Sequence, residues 1–81
     1  MQIEEIEKLI QAGMKTELVR VKGDGRHFTA VVVSPEFGNK SRIDRQRLVF
    51  TTLNEALAEN RLHAITIKTY TSEEWRQTDK E

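Results

Sequence analysis

Apolar positions in "IEEIEKLIQAGM" recur at helical spacing: Ile3, Ile6, Leu9, Ile10 and Met14 fall on one stripe. Glutamates crowd its first turns, where the helix dipole favours them. The pattern predicts an amphipathic helix over residues 2–12, stopped by Gly13. The period then drops to two. In "TELVRVK", residues 16–22, Val19 and Val21 face one way and Leu18, Arg20 and Lys22 the other. Asp24-Gly25 follows as a short hairpin signal, the glycine supplying the positive φ of a tight primed turn. "HFTAVVVS", residues 27–34, is apolar on both parities, which predicts a central strand covered on both faces. Pro35 ends it.

"PEFGNK" is expected as a loop, its Gly38-Asn39 pair tolerant of left-handed backbone. Ser41 with Asp44, and Thr52 with Glu55, have the spacing of helix N-caps, so two short helices are expected at 41–49 and 52–59. Ile43, Phe50, Leu53 and Leu57 would form their inward face, and Asn60 a left-handed exit. "LHAITIKTY", residues 62–70, alternates again and is the third strand. "TSEEW" offers one more capped turn, with Trp75 as a lid on the sheet edge or the helix layer.

Helix, strand, strand, helix, helix, strand: the order predicts a two-layer α+β domain, a three-stranded mixed sheet with helices on one face. The middle helices form the crossover, so one strand pairing is parallel. One domain over residues 1–76 and a disordered tail at 77–81 are expected.

Composition narrows the function classes. Thirteen Lys and Arg balance 13 Asp and Glu, so net charge announces neither a nucleic-acid nor a membrane binder. No segment approaches the ~20 apolar residues of a membrane span, and the acidic N-terminus is no signal peptide, so a cytoplasmic protein is expected. The absence of cysteine excludes disulfides and any thiolate site built by this chain alone. No dinucleotide, P-loop or nucleophile-elbow motif is present, and Asp24 beside His27 reads as a turn aspartate, so no enzyme is expected.

Two features remain. His27 and His63 are the only histidines, and each opens a strand. A lone strand-end histidine is ordinarily a half-exposed polar residue, and two imidazoles do not close a four-ligand metal site. If they bind metal, a partner completes the site. The second feature is "KSRIDRQR", where Lys40, Arg42, Arg45 and Arg47 stand against Asp44 alone. It is either a solvated helix face or a docking surface for an anionic partner or phosphates. Phe37 and Phe50 flank it as core residues, which gives base stacking little support.

The strings "GDGRHF", "SRIDRQRLVF" and "LHAITIKTYTSEEW" together resemble the BolA family, nearest its YrbA/IbaG-like branch, over about residues 17–76. Two departures stand out. Phe37 is followed by Gly38 and Asn39 rather than the F-x-G of many members, and Gln46 stands where many have a histidine after the helix arginine. The resemblance implies a class II KH-like fold and a stress-response setting. It further implies binding to a monothiol, CGFS-type glutaredoxin with its glutathione, and a shared 2Fe–2S cluster. The partner's cysteine and glutathione would supply thiolates, and this chain His63, with His27 as the candidate second ligand. Two imidazoles on one iron is Rieske-like ligation, and imidazoles that can be protonated make such a cluster labile in acid. Arg42, Arg45, Arg47 and the last strand would form the docking face. The alternative is a KH-like nucleic-acid-binding transcriptional regulator, with DNA as its candidate partner. Neutral net charge and the missing G-x-x-G clamp weigh against it. A metal-free protein-contact domain is a third reading.

Overall fold

The structure, a computed structural model, describes residues 1–78. The elements run α1 (Ile3–Gly13), β1 (Leu18–Gly23), β2 (His27–Val33), a 3-10 turn (Pro35–Phe37), α2 (Arg42–Thr52), α3 (Asn54–Ala58), β3 (Ala64–Tyr70) and α4 (Ser72–Gln77). The sheet order is β1-β2-β3, with β1 antiparallel and β3 parallel to β2. This is the two-layer α+β arrangement with a crossover that the hydrophobic pattern predicts.

β2 is central, and four consecutive residues, Ala30 to Val33, are buried. Phe28, Ala30 and Val32 share the face of Val21 and Ile67, and with Ile6, Ile10, Val49, Leu53 and Ala56 they make the core. Truncating one of the larger members, such as Leu53, to alanine removes about 2–5 kcal/mol. Among the described residues no helix is long and apolar enough to cross a membrane.

Several expectations are corrected. Ile43 does not face inward; it is 63% exposed at the start of α2. The hydrophobic stripe of α2 instead runs through Val49, with Leu48 and Phe50 partly buried. Thr52 does not cap α3: its hydroxyl donates back to the Val49 carbonyl at 2.6 Å, and the cap position falls on Leu53. α1 does end at Gly13, though not through left-handed backbone. A Cβ there would lie 2.7 Å from Thr52 Cγ2, so glycine is what lets α1 approach α2. The "PEFGNK" loop contains a turn of 3-10 helix, because Ser34 Oγ accepts from the Glu36 N–H at 3.0 Å and Phe37 is wholly buried. Gln77 closes α4 instead of opening a tail; the rest of the expected tail beyond Thr78 lies outside the described residues. Asn39 (φ 63°) and Asn60 (φ 57°) are left-handed, as their side chains suggest.

Candidate functional site

The β1–β2 turn is wider than a two-residue hairpin. β1 ends at Gly23 and β2 begins at His27, so residues 24–26 form the connection. Asp24 is the reason. Its Oδ1 accepts from the backbone N–H groups of both Arg26 (3.0 Å) and His27 (2.9 Å), and its own N–H donates to the His27 carbonyl at 3.3 Å. These backbone donors hold the Asp24 carboxyl below its usual range, chiefly through His27 and then Arg26. Gly25 carries the φ of +95° that the turn requires. The aspartate therefore fixes the backbone of His27.

His27 then pairs with Ala64 of β3. Its exposed ring lies over the face opposite the helices, with Nε2 3.4 Å from Thr66 Oγ1. His63 immediately precedes β3, also exposed. A strand beginning at Leu62 would have put His63 on the core parity with Ile65 and Ile67. The strand begins at Ala64 instead, so the pleat does not dictate the direction of His63. Leu62 is buried in the core on one side and Ala64 is held by the ladder on the other. The approach is fixed too: Arg61 N–H donates to the Ala56 carbonyl at 3.0 Å, past the left-handed Asn60.

Parallel register thus brings the two histidines to one rim. Both line an open cleft with Gly25, Arg26 and Ala64. Among the described residues no group of three or more His, Cys, Asp or Glu converges to hold a metal. The donor set fits a cluster only as half of its ligation: two accessible imidazoles, with sulfur to come from elsewhere.

The three arginines part company. Arg45 is only 15% exposed at its side chain. Its guanidinium donates to both Glu74 oxygens (2.7 and 3.3 Å), its Nε donates to the Lys40 carbonyl at 3.1 Å, and it sits 5.8 Å from the centre of the Phe37 ring. It braces α2 against α4 and the 35–40 turn. Glu74 is pushed below its ordinary value, first by Arg45 and then by the Thr71 N–H. Arg42 and Arg47 are exposed; Arg42 lines a groove beside β3 with Gln46 and residues 66–70, and Arg47 is 3.5 Å from Asp44. Trp75 packs on Tyr70 at the end of β3, ring centres 5.2 Å apart. Sequence reading underrated Asp24, whose D-G-x-H spacing is the available signal. Thr66 and Gln46 carried none, because only the register and the helix packing give them their neighbours.

The family described as BolA-like protein matches residues 5–74, from α1 to α4. The chain belongs to that family. This BolA-like protein is 38% identical over 80 residues to the acid stress protein IbaG of Escherichia coli K12, spanning 99% of this chain and 95% of the relative. It is 43% identical over 60 residues to the DNA-binding transcriptional regulator BolA of Vibrio cholerae, spanning 74% of this chain and 56% of that protein. A solved bolA protein homologue from Coxiella burnetii superposes with a TM-score of 0.85 at 34% identity, covering 94% and 97% of the two chains. These relatives are named as a stress protein and a regulator, and no catalytic family is indicated.

Proposed function

We propose that this BolA-like protein is a non-catalytic adaptor that docks on a monothiol glutaredoxin and shares a 2Fe–2S cluster with it, in iron–sulfur trafficking or in sensing of iron or stress. The single observation that carries the reading is the cleft lined by both histidines of a chain that has no cysteine. His63 and His27 would supply imidazole nitrogens to one iron, and the glutaredoxin and its glutathione the thiolates on the other. Bound there, the cluster would bring redox and cluster-transfer chemistry that this chain lacks. The chain's own part is to present two imidazole nitrogens. Asp24 holds the backbone of one, and Leu62 with the β3 ladder holds the other. Arg42 and Arg47 are the exposed docking cations, with Arg45 bracing the helix that carries them.

Anaerobic reconstitution with the host's monothiol glutaredoxin and glutathione tests this. The expected product is a heterodimer with two irons and a visible circular dichroism spectrum unlike that of the glutaredoxin homodimer. His63→Ala should return the homodimer-like spectrum. An unchanged heterodimer spectrum in that variant would sink the ligand assignment.

Nucleic-acid regulation is kept as the second reading on one ground, the similarity to a relative named as a DNA-binding regulator. Binding to duplex DNA that persists near physiological salt, with a slope from phosphate neutralisation, would favour it.

A further inference from the structure

The two edges of the sheet are finished differently. On β1, the Val21 N–H that faces away from β2 donates to Glu7 Oε2 at 3.1 Å, so a carboxylate from α1 closes that edge. On β3 the outward groups can be assigned from two bonds. Tyr70 O accepts from the Ser34 N–H at 3.0 Å and so points towards the β2 side. Alternation then turns Ile65, Ile67 and Thr69 outward. Consistent with this, the Ile67 carbonyl accepts from Gln46 Nε2 of α2 at 2.7 Å. A single side-chain amide thus stands where the N–H of a neighbouring strand would stand, midway along a seven-residue edge.

The groove that contains this amide is lined by Arg42, Gln46 and residues 66–70. Among the described residues that line it are two cations, Arg42 and Lys68, and no carboxylate. We propose that the open edge of β3 takes an extended acidic segment of a protein partner as a fourth strand, with Gln46 as the placeholder it displaces. The inference rests on the adaptor reading for the existence of a partner, but not on the histidines or any metal.

Three considerations select this occupant. An added strand supplies both donors and acceptors, which is what alternating N–H and C=O groups at 65, 67 and 69 need. A phosphate backbone offers acceptors only and leaves the carbonyls unserved. A second copy of this chain would bring Arg42 and Lys68 against their own counterparts across a two-fold axis. A lysine on an edge strand commonly guards against pairing; for an acidic strand the same charge becomes an attraction. β3 also begins beside His63, so a partner seated on this edge reaches the histidine cleft at one end.

The test is an amide NMR titration of the metal-free protein with a blocked hexapeptide of alternating glutamate and valine. Shifts concentrated at the Ile65, Ile67 and Thr69 amides are expected. Arg42→Glu and Lys68→Glu should each weaken binding about tenfold. Gln46→Ala should strengthen it about threefold, because the competent edge no longer has to be uncovered. The double variant H27A/H63A should bind the peptide as well as the natural protein; loss of binding there would move the site to the cleft and overturn the proposal. So would equal binding of a peptide with proline at alternate positions, the same shifts with single-stranded oligothymidine, dimerisation through β3 without peptide, or no shifts at millimolar peptide. A failed cluster spectrum with intact peptide binding would fault the ligand reading alone.

Discussion

Asp24 Oδ1 accepts two successive backbone N–H groups, and the second belongs to a candidate ligand. Asparagine keeps that acceptor oxygen; alanine does not. Asp24→Ala should lower the urea unfolding midpoint and speed hydrogen exchange at the Arg26 and His27 amides, whereas Asp24→Asn should stay near the natural protein. Gly13 gives a second residue-scale outcome. Alanine normally improves a helix, yet here its Cβ would meet Thr52 Cγ2 at 2.7 Å and Thr52 Cβ at 2.8 Å. Gly13→Ala should therefore lower stability by about 1–3 kcal/mol, read from the shift in unfolding midpoint. The helical pattern marked Gly13 as a boundary. Its reason, the approach of another helix, is a property of the packed molecule.

At the scale of elements, α4 is held to α2 by the Arg45–Glu74 pair and to β3 by Trp75 on Tyr70. Arg45→Ala should destabilise by about 1 kcal/mol, more than a fully exposed pair, because the guanidinium also covers Phe37. The pair has a pH signature. Glu74 titrates below its ordinary value of 4.5 when folded, so its contribution is present above that value and is lost as pH falls through the lower folded one. Glu74→Gln should thus be less stable than the natural protein at neutral pH. The difference should shrink as pH falls below 4.5, and a gap independent of pH would refute the linkage. The "SRIDRQR" run predicts one cationic face. In the structure its arginines divide, because successive positions on a helix turn by about 100° and each meets a different neighbour.

For the whole molecule, site and core are separable. Both histidines are exposed and lie outside the apolar cluster formed by α1–α3 and the inner face of the sheet. The double variant H27A/H63A should unfold within about 0.5 kcal/mol of the natural protein while failing to form the heterodimer cluster spectrum. A large loss of stability would mean that the histidines hold the fold rather than a cluster.

What the chain determined by itself was periodic and local. Alternation and helical spacing specified the element order and the central place of the doubly apolar β2, and turn chemistry specified Gly25, Asn39 and Asn60. These follow from forces acting between residues a few positions apart. The tertiary structure decided what depends on distant neighbours. The parallel register set Ala64 beside His27 and so brought His63 to the same rim, 36 positions along the chain. Packing of α2 against the sheet left Ile43 outside, drew Arg45 to Glu74 and laid Gln46 on Ile67. No local pattern encodes those partners, because each is chosen by where the crossover returns the chain.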